Sequence, residues 1–159
     1  MKGVFIGLGS NLADPHAQIQ SAIAAVDALD EVAVVAQSSL YSSPPMGPQD
    51  QPDYINAVIE IDTTLFAHKL LDQLQAIEQQ QGRIRQRHWG ERTIDLDLLI
   101  YGENTLDDER LNVPHPGIAV RSFVLHPLAE IAPNLMIPTL GTMQALLKDC
   151  PLDGLQRID

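Results

Sequence analysis

From Thr93 to Ile100 the chain alternates strictly: Ile94, Leu96, Leu98 and Ile100 fall on one side of an extended backbone, and Thr93, Asp95, Asp97 and Leu99 on the other. A strand of this kind belongs in a sheet with one face sealed against a core and the other carrying acids. Asp95 and Asp97 project to the same side, about 6–7 Å apart at the backbone. Hard oxygen donors so placed suit one or two Mg²⁺ ions, which take a few carboxylates and fill their remaining positions from substrate phosphates. Alone, a D-x-D pair reads more readily as a solvated sheet face.

The residues just before it favour a ligand. Arg83, Arg85, Arg87 and Arg92 are four of the ten basic residues, and with Glu91 as the only acid between them the loop carries 4 − 1 = +3, histidine neutral. Guanidinium forks grip phosphate oxygens bidentately. The whole chain bears 21 acids against 10 bases, a formal net of −11, which opposes phosphate-driven binding of nucleic acid or of an anionic membrane. A small anionic ligand is the expected client, and neither nucleic acid nor membrane is an expected partner.

At 159 residues the chain is expected to form a single domain, 1–159, burying roughly two-thirds of its extended surface. No apolar run approaches the ~18–20 residues of a membrane span. Cys150, the single cysteine, allows no internal disulfide and fits a cytoplasmic location.

Val4, Ile6 and Leu8 predict a first strand ending at Gly9-Ser10-Asn11. Asp14-Pro15 caps a helix to about Leu29 with Ile19, Ile23 and Val26 at helical spacing. Residues 31–43 predict one long second strand. SPPMGPQDQPDY, with four prolines and a glycine in twelve residues, must be a loop. Ile55, Ala57, Ile59 and Ile61 mark the third strand. Thr63 and Thr64 offer caps to a helix lined by Phe66, Leu70, Leu74 and Ile77 and closed by Gly82, and the aspartate strand follows. The order predicts an α+β sandwich, a ferredoxin-like βαββαβ core with both helices on one face of an antiparallel sheet and the other face open. Beyond it a C-terminal extension holds a hairpin at Asp107-Asp108, the loop VPHPG, and helical segments near 128–131 and 142–147.

Tyr54 and Phe123 are two of the seven aromatics, and Asn56, at an outward strand position, can present a donor and an acceptor to a planar heterocycle. For each of the three, core packing or turn chemistry is the competing explanation. His115 sits between prolines, and Trp89 beside Gly90 in the arginine loop. No P-loop sequence occurs, and G-L-G-S-N lacks the third glycine of a dinucleotide fingerprint.

Gly9–Asn11, the Y-x-[ST]-x-P-x-G of Tyr41–Gly47, GPQDQPDYINA, WGERTIDLDLL from Trp89 to Leu99, and VPHP with Arg121 and Phe123 behind it resemble the 6-hydroxymethyl-7,8-dihydropterin pyrophosphokinase family over essentially the whole length. The resemblance implies transfer of the β,γ-pyrophosphoryl group of ATP to the pterin hydroxymethyl oxygen, with AMP released and two Mg²⁺ ions used in folate biosynthesis. It implies that Asp95 and Asp97 hold the metals and that Arg83 and Arg92 meet the transferred phosphates. ATP would contact Gln75, Glu78, Arg85, Trp89, Arg92, Leu98, Arg110, Asn112, His115 and Arg121. The pterin would stack between Tyr54 and Phe123 and bond to Asn56 and the segment Ser43, Pro44, Pro45 and Met46. The protein is expected to be monomeric. Gln86 where some members carry lysine, an arginine loop one residue shorter, Ser43 for threonine and Pro116 for an aromatic depart from the family pattern. A nucleotide-sensing module without chemistry and a metal-dependent phosphohydrolase are the rival readings.

Overall fold

The computed structural model describes residues 1–12, 14–45, 50–81 and 94–158. The arginine loop, with Arg83, Arg85, Gln86, Arg87, Trp89 and Arg92, lies outside these residues, as do Met46, Gly82 and Gly90.

Strand β1 (Val4–Ser10) occupies the centre of the main sheet, antiparallel to β4 (Tyr54–Thr63) on one edge and to β5 (Asp95–Tyr101) on the other. Gly9 and Ser10 are therefore strand residues rather than the expected turn, and Gly9 lies opposite both Asn56 and Asp95. The far edge of β4 is taken by β2 (Val32–Gln37) and then by β3 (Tyr41–Ser43), with β10 (Gln156–Arg157) beyond β3.

The single long second strand is thus two. Between the pair Gln37–Ile59 and the pair Tyr41–Asn56 one edge advances four residues and the other three, so the ladder must break. Ser38 closes the gap: its N–H donates to the Val58 carbonyl at 2.9 Å, and its hydroxyl accepts the Val58 N–H at 2.9 Å. No Gly or Pro marks the break, because a serine side chain does the work of the missing backbone partner.

Helix α1 (Pro15–Asp27) starts as its sequence dictates, with proline in the first turn and the Asp14 carboxylate accepting the Ala17 N–H at 3.4 Å. Helix α2 (Ala67–Gln80) buries Ala67, Leu70, Leu71, Leu74 and Ile77. Phe66, assigned to that stripe from spacing, is the cap residue instead and stands 84% exposed. Thr63 and Thr64 do not cap the helix; their hydroxyls donate to the Glu31 carbonyl and carboxylate, tying the end of β4 to the start of β2. Both helices pack on the side of the sheet presenting Val4, Ile6, Ala57, Ile59 and Leu98.

The opposite face is not open. Helix α3 (Ser122–Ile131) and helix α4 (Met143–Lys148) form a second core there, with Leu125, Leu128 and Met143 against Phe5, Val58, Leu99 and Ile100. Ile100 was expected to share a face with Leu98. Phe5 pairs with Ile100 and Ile6 with Leu98, so Leu99 is an extra residue that resets the alternation and turns Ile100 towards α3. The expected hairpin forms as β6 (Leu106–Asp107) and β7 (Asn112–Val113), and a smaller one as β8 (Met136–Ile137) and β9 (Gly141–Thr142). The Thr142 hydroxyl caps α4 by accepting the Ala145 N–H at 3.2 Å. The result is a mixed α/β fold in three layers.

The second core makes a measurable claim. Leu125 is fully buried, and Leu125→Ala is expected to lower the unfolding free energy by about 2–5 kcal/mol in denaturant titrations, the cost of lost burial plus a cavity. An open sheet face would give a change within about 0.5 kcal/mol.

Candidate active site

Two regions gather polar groups, one on each side of the aspartate strand. The first is a cleft of about 330 Å³ along the outer edge of β5. Gln75 and Glu78 enter it from α2, Asp97 and Leu98 from β5, Arg110 and Asn112 from the β6–β7 hairpin, and His115 from the loop that follows. Seven of the residues expected at a nucleotide or metal site therefore line one cavity. Leu71, Leu96, Leu111 and Pro116 complete the lining. The three leucines carried no sequence signal, since an apolar residue beside a ligand looks the same as one in a core.

The cleft exists because β5 is an edge strand only partly closed. The buried Glu78 carboxylate accepts the Leu96 N–H at 2.7 Å, and the His115 N–H donates to the Leu99 carbonyl at 2.8 Å. By the two-residue period of a strand, the outward backbone groups between these anchors are the Leu96 carbonyl and the N–H and carbonyl of Leu98.

His115 is oriented by its own loop. Its Nδ1 accepts the Gly117 N–H at 2.9 Å, so the neutral ring carries its proton on Nε2. Burial pushes the imidazole below the ordinary histidine range; the Asp97 carboxylate opposes that shift and the Arg121 guanidinium adds to it. Arg121 precedes the first turn of α3 and stands 6.0 Å from the centre of the Phe123 ring. It also lies against Gly117, where a Cβ would come within 2.8 Å of its Nε.

Arg110 is held at the cleft mouth by Asp72 at 2.6 Å and by Gln75 at 3.3 Å. Its turn is built by Asp108, whose Oδ1 accepts the N–H groups of Arg110 and Leu111 at 2.9 Å each. Those bonds and one from His68 hold the Asp108 carboxyl below its usual range.

The second region lies across the sheet. Tyr54 and Asn56 alternate with core residues of β4 and face the α3 side, and Ser43 and Tyr41 on β3 stand opposite them in register. The buried Asn56 donates through Nδ2 to the Ser43 hydroxyl at 2.7 Å. Pro44 packs near Gly154, where a Cβ would meet its ring at 3.2 Å, and Pro45 is buried beside it. Asn11, fully buried, donates to the Gln51 side chain and the Pro52 carbonyl at 3.0 Å each, fixing the loop that leads into Tyr54.

Gly7 and Gly9 join the two regions. On the α3 side of β1 they stand between Asp97 and Val58 and between Asp95 and Asn56. A Cβ on Gly9 would lie 3.3 Å from Asn56 Oδ1, and one on Gly7 would lie 3.4 Å from Leu99. Gly9 marks a strand end in the sequence; in the structure both glycines let neighbouring side chains approach β1 closely and form the floor of a trough. Asp95 and Asp97 border it, the former half-buried and the latter exposed. An oxygen-only pair on one face of a strand fits a hard divalent cation that shares its ligands with phosphate. Among the described residues no group of three or more His, Cys, Asp or Glu forms a closed metal cage.

Residues 5–133 match the family described as 7,8-dihydro-6-hydroxymethylpterin-pyrophosphokinase (HPPK). The chain belongs to the HPPK family. It is 50% identical over 155 residues to the 2-amino-4-hydroxy-6-hydroxymethyldihydropteridine pyrophosphokinase of Pseudomonas aeruginosa, covering 98% of this chain and 96% of that one. It is 50% identical over 144 residues to the protein of the same name from Haemophilus influenzae, covering 91% and 90%. Among solved structures it is similar to a Plasmodium falciparum HPPK-DHPS, with a TM-score of 0.72 at 12% identity over 92% of this chain and 42% of that one. At that identity the likeness speaks for the HPPK fold alone.

The His115 geometry can be checked directly. Nitrogen-detected NMR of the ligand-free protein is expected to show the Nε2–H tautomer and a titration midpoint below about 6.5, the usual histidine value. As pH falls through that range the unfolded chain takes up a proton that the folded protein refuses, so stability declines with acidification. A His115→Gln variant should lose that component of the pH dependence.

Proposed function

We propose that this chain transfers the pyrophosphoryl group of ATP to the hydroxymethyl oxygen of 6-hydroxymethyl-7,8-dihydropterin, yielding the pterin diphosphate and AMP for folate biosynthesis. The observation that carries the reading is the juxtaposition of a polar cleft and an amide-walled trough on the two sides of Asp95 and Asp97. Such a site can hold two substrates with their reacting ends at the carboxylates. Relatives 50% identical over nearly their full length bear the name of this activity.

The pterin hydroxyl attacks the β-phosphorus, the bond from that phosphorus to the oxygen shared with the α-phosphate breaks, AMP departs and the hydroxyl proton is released. Little covalent work falls to the protein, and positioning with charge neutralisation carries the catalysis. Asp95 and Asp97 would hold Mg²⁺, two ions in the reading adopted here, and the bound metal would neutralise phosphate charge and polarise the attacked phosphorus. His115 Nε2–H is a neutral donor into the nucleotide cleft, oriented in advance by the Gly117 N–H. Arg110 must exchange Asp72 for a phosphate or ribose oxygen, so its ion pair keeps it extended at the mouth until ligand arrives.

Gln75, Glu78, Leu98, Asn112 and Arg121 complete the nucleotide set. Asn56, Ser43, Pro44 and Pro45 read the polar edge of the heterocycle, and Tyr54 and Phe123 its faces. Arg83, Arg85, Trp89, Arg92 and Met46 enter this reading from the sequence alone. The architecture is read as a ferredoxin-like βαββαβ core, supported by the strand order in which β1 lies between β4 and β5 and the β2–β3 edge lies outside β4. The whole chain is read as one domain acting as a monomer in the cytoplasm; among the described residues no helix is long and apolar enough to cross a membrane.

Asp97→Ala is expected to unfold at the wild-type temperature yet lose roughly 10²–10³-fold or more of its Mg²⁺-dependent AMP formation from ATP and pterin. A chromatographic assay resolving AMP from ADP settles the reaction type. Full activity in the variant removes the metal assignment, ADP as product removes pyrophosphoryl transfer, and turnover without pterin favours hydrolysis.

A further inference from the structure

Glu130 has no place in the reading above, yet it makes one of the most extensive side-chain attachments in the structure. It lies near the end of α3, and its carboxylate reaches across to the break between β2 and β3. Both oxygens accept the Ser39 N–H at 3.1 Å, Oε2 accepts the Ser39 hydroxyl at 2.9 Å, and Oε1 accepts the Tyr41 hydroxyl at 2.6 Å. The Arg157 guanidinium on β10 stands 4.0 Å away. Burial alone would raise this carboxyl, but the bonds from Tyr41 and Ser39 outweigh it and hold it below the usual range, so it remains an anion.

An exposed ion pair would contribute little, but these bonds join segments about ninety positions apart, and although Glu130 lies at the surface its side chain is 26% accessible. The strand they hold is three residues long. So short a strand has little register of its own. Its pairing places Tyr41 opposite Asn56 and Ser43 opposite Tyr54, and Ser43 accepts the Asn56 amide. At the other end of α3, Phe123 lies seven positions before Glu130, which on a helix returns to nearly the same face about 10 Å along the axis. One helix therefore carries both Phe123, the aromatic wall of the trough in the pterin reading, and the anchor of the strand bearing Ser43. Leu125 and Leu128, fully buried, hold α3 to the sheet without help from Glu130.

We propose that Glu130 is a positioning residue for the pterin: through Ser39 and Tyr41 it fixes the strand bearing Ser43 against the helix bearing Phe123, and so sets the separation of the walls that grip the heterocycle. This rests on the pterin reading of the trough. Glutamine at the same place keeps the length of the side chain but has one acceptor oxygen, which cannot serve Tyr41 and both Ser39 donors. The cost falls on the shape of the trough rather than on the nucleotide cleft, which Glu130 does not touch.

The test uses the full chain and its Glu130→Gln, Tyr41→Phe and doubly substituted forms, with binding of an unreactive hydroxymethylpterin analogue and of a non-hydrolysable ATP analogue measured by calorimetry beside thermal unfolding. Each single change is expected to raise the pterin Kd and KM roughly 3- to 30-fold while the ATP Kd stays within twofold. The double variant should be little worse than Glu130→Gln, because both changes break the same interaction. Unaltered pterin affinity in Glu130→Gln, parallel loss of pterin and ATP affinity, or additive losses in the double variant would each overturn the proposal. A wild-type chain that fails to bind the pterin analogue overturns the functional reading and this inference with it. Wild-type binding matched by Glu130→Gln overturns this inference alone.

Discussion

The central strand β1 is paired along both edges and covered on both faces, and the rest of the molecule is arranged around how it meets that double demand. On the side of α1 and α2, Val4, Ile6 and Leu8 fill the core in the ordinary way. On the side of α3 only Phe5 does so; the Leu99 side chain packs against Gly7 and the Asn56 amide against Gly9. A strand so enclosed would normally carry apolar side chains on both faces; two omissions in one row let Leu99 and Asn56 from the neighbouring strands lean onto it, beside Asp95 and Asp97.

Rigidity is supplied by polar attachments that hold short or irregular segments rather than by apolar burial. Ser38 replaces a backbone partner at the break in the β2–β3 edge. Asn11 ties the loop before Tyr54, Asp108 builds the turn under Arg110, and Glu130 holds the strand with Ser43. Each is a side chain bonded to backbone or to a second side chain at a place where the ladder alone would leave freedom.

Much of this was legible in the residues. The helix capped by Asp14 and Pro15, the strand over Tyr54–Thr63, and the side of the sheet that Asp95 and Asp97 share follow from local rules of capping and alternation, which tertiary contacts reinforced. The departures have a common cause. The break at Ser38, the extra residue at Leu99 and the exposed Phe66 each depend on what a distant segment does, and periodicity measured along one strand or helix contains nothing about its partner. The second core was missed for the same reason: α3 and α4 are short, one contains Pro127, and their value lies in the sheet face they cover. Of the residues lining the cleft, the charged and polar ones declared themselves by chemistry, whereas Leu71, Leu96 and Leu111 could be recognised only by where they stand.

The sealing of β5 has a consequence of a different kind. An edge strand with a free row of N–H and C=O groups is a template for pairing with another chain, and a sheet that opens one edge for ligand runs the risk of sticking to its neighbours. Here the Glu78 carboxylate occupies the row at Leu96 and the His115 backbone occupies it at Leu99. What remains between them is shorter than any stretch on which a foreign strand could gain a register. The same two contacts that frame the cleft thus also act as a guard against polymerisation.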